Sequence, residues 1–300
     1  METILIAGGT GLIGKYLAQL LFEKGYSIKI LSRRKLKNDS FEYFVWDVKN
    51  NYLEEDALKD VSHIINLTGA NIGSNRWTAT RKKEILSSRI DSTKFLYYAV
   101  KKNNIVLKTF ITSSATGFYG AITTDVIYKE TDHPAQDFLG SICQKWEEAS
   151  QLFAKDGIRT VQIRTGVVLS KTEGAFPKMT LPFKFRLKTI LGSGEQYIPW
   201  IYIDDICNIY SFAIENKSIN GPYNAVADFG IKYKDFVDLI SSYMNKKIIT
   251  IRIPKIILRL ILGEMSLIVL EGSRISNVKI KNDGYEFKYP NLNNTLKYLV

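Results

Sequence analysis

The sequence predicts an α/β protein: a Rossmann-type doubly wound parallel sheet with a small, mostly helical C-terminal lobe. Short apolar runs typical of buried strands alternate with helical patterns from residue 3 to about residue 170. The alternation then stops, and the chain after about residue 229 is mostly helical in pattern. A glycine-rich turn follows the first apolar run, which is where such sheets bind a nucleotide. These observations together predict the fold class.

The glycine-rich turn is the first candidate binding site. It joins the apolar run Thr3–Ala7 to a segment whose leucines recur at helical spacing. The N–H groups and the dipole at the start of a helix favour anions, so the turn predicts a site for a cofactor pyrophosphate. A glycine-rich turn without a ligand is the alternative, because this glycine spacing alone is a weak signal.

The glycines of this turn have different predicted tasks. Gly8 permits the tight turn, Gly11 leaves room for phosphate, and Gly14 lets the helix pack closely. The cofactor-binding residues predicted in this stretch are Gly8, Thr10, Gly11, Leu12, Ile13 and Gly14.

The end of the second predicted strand, Ser27–Ser32, indicates which nicotinamide cofactor the protein binds. Sheets that prefer NAD usually carry Asp or Glu at this point to bind the ribose 2′-hydroxyl. That acid is absent here, and Arg33 and Arg34 follow Ser32 instead. Because a guanidinium binds phosphate bidentately, Ser32, Arg33 and Arg34 predict a 2′-phosphate site and therefore NADP(H). An ordinary exposed basic turn is the alternative.

The remaining predicted strands lie at residues 41–48, 61–67, 108–114 and 160–170, with helices ending near residue 102 and spanning 137–153. Two further cofactor contacts follow from these strands. Asp47 ends the third strand, where such sheets often contact adenine, although a capping aspartate fits equally well. The small residues Thr68, Gly69 and Ala70 form a turn after the fourth strand, and cofactor pyrophosphate and ribose normally lie against such turns.

The break in periodicity predicts two domains. Residues 1–170 form an NADP-binding domain, completed by about 201–228. Residues 171–200 and 229–300 build a substrate-binding lobe over the C-terminal edge of the sheet. Within this lobe the apolar stretch 256–270 predicts a buried amphipathic helix, because charged residues interrupt it and it is too short to span a bilayer.

Composition narrows the classes of function. Cys143 and Cys207 offer no disulfide framework, and two distant histidines make a zinc site improbable, so we expect no metal. The N-terminus enters a strand directly, which argues against a signal peptide and for a cytoplasmic protein without a membrane partner. The net charge is +11, yet basic residues alternate with acids and no nucleic-acid motif accompanies them. We therefore expect no nucleic-acid partner and attribute part of the charge to anionic small molecules.

Several runs resemble one known family. The glycine turn resembles that of the extended short-chain dehydrogenase/reductases, as do Ser113-Ser114-Ala115, Phe118-Tyr119-Gly120, Glu130 and Arg164-Thr165-Gly166. More closely, further runs resemble the NAD-dependent epimerase/dehydratase-like branch and its C-terminal domain: residues 69–72, 76–78, 192–196, 200–205, 262–265 and 284–287. The resemblance runs almost end to end. It implies a Rossmann-type fold, a bound nicotinamide cofactor with Arg164 among its contacts, and a place among nucleotide-sugar epimerases.

The residues that the resemblance implies for catalysis are incomplete. Extended short-chain enzymes use a serine or threonine with a Tyr-x-x-x-Lys pair, in which the tyrosine moves a proton and the lysine lowers its pKa. Ser114 fits the serine position, although a turn-capping hydroxyl is the alternative. The tyrosine and lysine should fall where this sequence has Leu139 and Cys143. Tyr119 is therefore our leading substitute acid/base, and a packed aromatic is the alternative reading.

These observations predict an NADP(H)-binding oxidoreductase or epimerase that acts on a small anionic substrate such as a nucleotide sugar. A non-catalytic NADP(H)-binding sensor is the alternative, because the usual tyrosine and lysine are missing. The resemblance also suggests a homodimer, since relatives commonly pair through helices beside the sheet.

Overall fold

The computed structural model describes residues 2–36, 40–227, 230–243 and 248–299. The strands are β1 (Thr3–Ala7), β2 (Ser27–Ser32), β3 (Glu42–Asp47), β4 (Tyr52–Leu53), β5 (Val61–Asn66), β6 (Thr109–Ala115), β7 (Ile127–Tyr128), β8 (Arg159–Thr165), β9 (Val167–Leu169), β10 (Leu187–Leu191), β11 (Tyr197–Ile198), β12 (Trp200–Tyr202), β13 (Gly221–Ala225), β14 (Ile231–Lys232), β15 (Ile249–Ile253) and β16 (Arg274–Ile275). The helices are α1 (Leu12–Glu23), α2 (Ala79–Lys102), α3 (Phe138–Lys155), α4 (Phe176–Thr180), α5 (Ile203–Glu215), α6 (Tyr233–Tyr243), α7 (Lys255–Leu262), α8 (Leu267–Leu270), α9 (Val278–Asn282) and α10 (Leu292–Leu299). Short 3₁₀ turns lie at Glu55–Leu58, Thr116–Tyr119, Leu181–Phe185 and Gly263–Ser266.

The central sheet of the described residues has the strand order β13-β8-β6-β5-β1-β2-β3-β4. All neighbouring strands are parallel except β3 and β4, which are antiparallel. The chain winds outward from β1 in both directions, so the topological switch point lies at the C-terminal ends of β1 and β5. Ligands bind at this point in open α/β sheets. The predicted doubly wound parallel sheet is confirmed.

The apolar character of β1 follows from its burial on both faces. Ile4 and Ile6 belong to the core beneath α1 and α5, whereas Leu5 and Ala7 belong to the core beneath α2 and α3. Side chains alternate between the faces of a strand, so a strand covered by helices on both sides is apolar throughout. This double cover explains why a continuous apolar run predicted a parallel strand.

The C-terminal region is mostly helical, as predicted, and runs from α6 through α10. It shares a core with α4 and with the short strands β9, β10, β11 and β12. In this region β15 adds to β10 as a parallel pair.

Two sequence expectations about single elements are wrong. The strand expected at 160–170 is divided at Gly166, where the backbone of Val167 leaves the central sheet and donates to Pro199 O at 2.6 Å. The buried helix expected at 256–270 is broken by Gly263, whose φ is +61°. Of α7 only Leu258 is buried, because no described segment covers its other face. Local patterns do not encode such long-range partners.

Two searches of the described residues gave no candidates. None of their helices has both the length and the apolar character that crossing a bilayer requires. In the same ranges, no three His, Cys, Asp or Glu side chains are grouped so that they could hold a metal ion.

Candidate nucleotide-binding site

The glycine turn closes tightly at the C-terminal end of β1. Gly8 has φ +81°, a backbone conformation that is strained for residues with a side chain. A Cβ there would also lie 2.9 Å from the carbonyl carbon of Leu67. The Gly11 N–H donates to Gly8 O at 3.1 Å, which closes the turn. A Cβ on Gly14 would approach Gly8 O to 2.5 Å. Gly8 and Gly14 are therefore required by the packing of the turn itself.

Gly11 differs, because its surroundings leave space. A Cβ there would meet only Gly8 O, at 3.4 Å, and both Thr10 and Gly11 are exposed. Gly11 is the N-cap of α1, no side chain caps the helix, and its first turn holds no acid. Leu12 and Ile13 are half-buried against the core. The turn thus presents uncapped N–H groups and the positive end of a helix dipole to solvent.

One glycine of this turn was missed by the sequence reasoning. A Cβ on Gly9 would come within 2.8 Å of Cγ2 of Ile30 on β2. The signal was present, since Gly8 and Gly9 are adjacent, but the spacing rule used for the motif gives no task to the second glycine.

The end of β2 lies beside the turn, because Ala7 pairs with Leu31. Ser32 is buried, and its Oγ accepts from the backbone N–H of Arg34 at 3.2 Å. Lys35 is bound to Glu54 at 2.5 Å. Arg33 and Arg34 are exposed, and nothing in the described part of the chain pairs with either guanidinium. Two cations without partners among the described residues therefore follow the strand that neighbours the glycine turn.

Asp47 lies at the end of β3 and caps the following turn. Its Oδ1 accepts from the N–H groups of Lys49 at 2.9 Å and Asn50 at 3.3 Å, and its Oδ2 accepts from Nδ2 of Asn50 at 2.8 Å. These hydrogen bonds, first that of the Asn50 side chain, lower the pKa of Asp47. Asp47 thus caps a turn rather than a helix, and its contact to adenine stays a prediction.

The turn after β5 is held to α2 through a residue that the sequence reasoning missed. Asn66 is fully buried, and its Oδ1 accepts from the N–H of Thr68 at 3.1 Å and from its hydroxyl at 2.5 Å. The Thr68 hydroxyl also contacts Ser92 Oγ at 2.7 Å. Thr68 therefore faces inward, towards α2. The sequence did contain a signal for Asn66, because it is a polar residue at the end of an apolar run.

Arg89 of α2 lies directly beneath the next two residues of this turn. Its Nη1 donates to Ala70 O at 3.1 Å and to Ile85 O at 2.9 Å. A Cβ on Gly69 would lie 2.9 Å from the Arg89 Cζ. The guanidinium also stacks over the ring of Trp146 at 5.0 Å, and burial lowers its pKa to about 10. This charged side chain was not singled out from the sequence.

The predicted serine is enclosed in an ionic network at the C-terminal end of β6. Ser114 is buried, and its hydroxyl donates to Glu147 Oε1 on α3 at 2.6 Å. Glu147 accepts from Nε and Nη2 of Arg164, both at 2.8 Å, and these side chains are 12% and 3% exposed. Although burial opposes the charge of Arg164, Glu147 holds its pKa above the usual value. The hydroxyl proton of Ser114 is therefore held in a hydrogen bond to the Glu147 carboxylate.

Arg164 and Tyr119 are turned towards the protein interior. Arg164 Nη1 donates to Tyr119 Oη at 3.0 Å and to Glu130 O at 3.2 Å, so four of its five N–H donors are used. The Tyr119 hydroxyl donates to Asn224 Oδ1 at 2.7 Å, and the side chain is 2% exposed. Burial raises the pKa of Tyr119 above its ordinary value. Both side chains therefore hold neighbouring segments together at the C-terminal end of the sheet.

The face of α3 that points to this network carries Leu139 and Cys143. A Cβ on Gly117 would lie 3.4 Å from Cβ of Leu139 and 3.7 Å from Sγ of Cys143, so both residues back the turn after β6. Burial raises the pKa of Cys143 to about 12, which keeps the thiol neutral. These are packing positions in the structure.

Two runs that are distant in the sequence meet beside the site. Trp77 packs with Met265 in a small core, and its Nε1 donates to Ile72 O at 2.9 Å. Lys82 pairs with Glu264 at 2.6 Å. These contacts join the segment before α2, and α2 itself, to the C-terminal region at the C-terminal edge of the sheet.

Comparison with known proteins assigns the chain to a family. The NAD dependent epimerase/dehydratase family matches residues 4–225, and a domain of unknown function, DUF1731, matches residues 253–299. The epimerase family protein YfhF of Bacillus subtilis is 33% identical over 299 residues, which cover 99% of this chain and 97% of that protein. The resemblance noted from the sequence is confirmed.

Solved structures give the same fold. The human epimerase family protein SDR39U1 (isoform2), crystallised with NADPH, is similar at a TM-score of 0.87 and 29% identity, covering 99% of this chain and 98% of that chain. The UDP-glucuronic acid 4-epimerase of Bacillus cereus, in complex with UDP-glucuronic acid and NAD, is similar at a TM-score of 0.80 and 19% identity, covering 99% and 98%. The second likeness concerns the fold alone.

Proposed function

Because the chain belongs to the NAD dependent epimerase/dehydratase family, we propose that it binds NADP(H) across the C-terminal ends of β2, β1 and β5. The observation that carries this proposal is the pair Arg33 and Arg34, exposed beside the glycine turn without acidic partners in the described residues. An acid for a 2′-hydroxyl is absent there, and guanidinium groups bind phosphate. The similar human protein crystallised with NADPH supports the same choice of cofactor.

The residues present fit such a cofactor. The open space at Gly11 and the uncapped start of α1 suit a pyrophosphate, which the N–H groups of Thr10 and of Leu12 to Gly14 would hold, since that of Gly11 donates to Gly8 O. Arg33 and Arg34, ordered by the Ser32 hydroxyl, would hold the 2′-phosphate. Asp47 would support the adenine side through the turn that it caps, and Thr68 to Ala70 would line the nicotinamide side.

For the chemistry, we propose an oxidoreductase or epimerase that acts on a small anionic substrate. NADP(H) supplies or accepts a hydride at the nicotinamide C4. The sequence has Leu139 and Cys143 where the resemblance leads us to expect the usual pair, so we infer that proton transfer does not use Tyr-x-x-x-Lys. We assign Ser114, Tyr119 and Arg164 to the support of the site, because their polar atoms are bonded to one another and to Glu147 and Asn224.

A nucleotide sugar is the substrate class that the family favours, since a similar fold binds UDP-glucuronic acid in the Bacillus cereus enzyme. The segment joined by Trp77 and Met265 would border the substrate. We propose that residues 171–200 and 229–300 form this substrate lobe, and that 1–170, completed by about 201–228, bind the cofactor. The junction of β13 with β8 supports that completion. A cytoplasmic location and a homodimer remain part of the proposal.

A second candidate function is an NADP(H) sensor without turnover. The specific observation in its favour is the buried network that engages both Ser114 and Tyr119. If neither the nicotinamide absorbance nor the configuration of the sugar changes with any UDP-sugar tested while NADPH binds tightly, the sensor replaces the enzyme.

Titration of the protein with NADPH and with NADH tests the cofactor proposal. We expect NADPH to bind at least about tenfold more tightly, because each charged contact to the 2′-phosphate contributes on the order of 1.4 kcal/mol or more. Arg33→Ala should remove most of this preference. Lys35→Ala is the matched control, since Lys35 is bound to Glu54, and it should leave the preference intact. Equal binding of both cofactors by the wild-type protein would contradict the 2′-phosphate site.

A further inference from the structure

We propose that Arg89 forms a cationic, oxygen-binding subsite for the nicotinamide half of NADP(H). This inference rests on the proposed function, because it needs the cofactor to lie along the sheet edge as described above. It concerns a residue outside the glycine turn and outside the arginines at the end of β2.

The order of the strands places Arg89 at that half of the cofactor. The 2′-phosphate site lies at the end of β2, and the pyrophosphate site lies at the end of β1. A dinucleotide that crosses the switch point continues over the end of β5, which neighbours β1 on the other side. Arg89 lies beneath the Gly69–Ala70 turn that follows β5. Its guanidinium therefore lies beside the path of the nicotinamide half.

The charge of Arg89 has no acidic partner among the described residues. No carboxylate there pairs with it, and the charged side chain that acts on it is another cation, Arg81. Of its nitrogens, only Nη1 has hydrogen-bond acceptors in the described residues, namely two backbone carbonyls. Neither Nε nor Nη2 is sealed from solvent. A cation partly withdrawn from water without a counter-charge costs free energy, and an acceptor supplied by a ligand would compensate it.

The guanidinium is held ready for such an acceptor. The two bonds from Nη1 and the stacking on Trp146 fix its plane. Gly69 lets the turn lie directly against the guanidinium, because a Cβ there would lie 2.9 Å from Cζ and 3.1 Å from Nη2. The free edge offers N–H donors in a rigid fork, which suits phosphate oxygens or paired ribose hydroxyls.

A purely structural task is the competing explanation. In that case Arg89 would only clamp the turn through Ala70 O, and its loss would weaken the whole site equally. The two explanations differ in which half of the cofactor they affect. Adenosine 2′,5′-bisphosphate contains the adenine half and lacks the nicotinamide half, so it separates them.

The experiment is calorimetric titration of Arg89→Gln with NADPH and with adenosine 2′,5′-bisphosphate. We expect NADPH to bind about tenfold more weakly and the bisphosphate to bind within about twofold of wild type. Arg33→Ala should weaken both ligands. Arg76→Gln, at an exposed arginine whose guanidinium donates to Leu260 O and lies beside Gly263, should weaken neither. Arg89→Lys keeps the charge without the fork and should be intermediate for NADPH.

Equal weakening of both ligands by Arg89→Gln would overturn the subsite in favour of the clamp, and unchanged NADPH binding would also overturn it. If Arg89→Gln does not fold, the same comparison is decided on Arg89→Lys. Failure of the proposed function has a different signature, because wild-type protein would then bind neither NADPH nor the bisphosphate.

Discussion

At the glycine turn, the uncapped start of a helix and two guanidinium groups face solvent without side-chain partners in the part of the chain that the structure describes, whereas at the ends of β6 and β8 the polar side chains are bonded to one another. The first region, which we call the open end, comprises Thr10, Gly11, Arg33 and Arg34. The second region, the closed end, comprises Ser114, Tyr119, Glu147, Arg164 and Asn224. Both regions lie on the same edge of one sheet.

The contrast separates the end of the sheet that is open to a ligand from the end whose polar groups are already paired. Buried polar groups are paired in stable structures, so the closed end is complete by itself. At the open end, exposed helix N–H groups and guanidinium groups are hydrated, and an anion would replace that water. In the function that we propose, the open end binds the cofactor and the closed end supports the sheet beside it.

The largest expected effect concerns the closed end. Glu147→Gln removes the charge that pairs with buried Arg164, and the loss of one partner from such a pair costs about 3–5 kcal/mol of unfolding free energy. Urea-induced unfolding of the variant and of the wild type measures this loss of unfolding free energy. Glu148→Gln is the matched control on the same helix, because Glu148 is exposed, and it should change stability by less than about 0.5 kcal/mol.

The same region allows a sharper test. The double variant Glu147→Leu with Arg164→Met removes both charges, and it should be clearly less destabilised than the sum of its single variants. Additive effects would show that the two side chains act independently, and the closed end would then not be a network.

A smaller effect on stability is expected within the turn that carries the open end. Gly14→Ala should destabilise the protein by about 1–3 kcal/mol, because its Cβ would lie 2.5 Å from backbone atoms of Gly8 and Gly9. Helix propensity favours alanine by about 1 kcal/mol and does not offset this overlap. Thermal unfolding of the variant measures the difference, and a more stable Gly14→Ala protein would disprove the close packing.

The smallest effect on stability is expected at Gly11. Gly11→Ala should change the unfolding free energy by less than about 1 kcal/mol, since its Cβ meets only Gly8 O at 3.4 Å. Its binding of NADPH should nevertheless fall severalfold, because the added methyl group occupies the space left for phosphate. Fluorescence titration checks the affinity. Unchanged affinity in a stable variant would place the cofactor elsewhere.

Much of the fold was predictable because the signals are local. Strands β1 and β2 have the predicted bounds, Thr3–Ala7 and Ser27–Ser32, since β1 is an apolar run and β2 alternates polar and apolar residues. The open end was predictable for the same reason, because glycine and arginine act there through backbone shape and charge. Its role in binding stays a prediction.

The closed end was not predictable, because its contacts join distant parts of the chain. Glu147 meets Arg164 only once α3 packs on β8, and no spacing rule links them. Arg89 also carries no local signal, since its surroundings come from the turn after β5 and from Trp146 of α3. Sequence patterns identify which residues could bind, whereas packing decides which side chains remain free to do so.

Hydrogen exchange of the protein with and without NADPH tests the contrast between the two ends most directly. We expect residues 9–15 to exchange slowly only when NADPH is bound, because their amides gain phosphate partners. Residues 114–119 and 143–150 should be protected to the same extent in both states, because their network is complete without ligand. Protection that appears only in the second group, with 9–15 unchanged, would contradict the account.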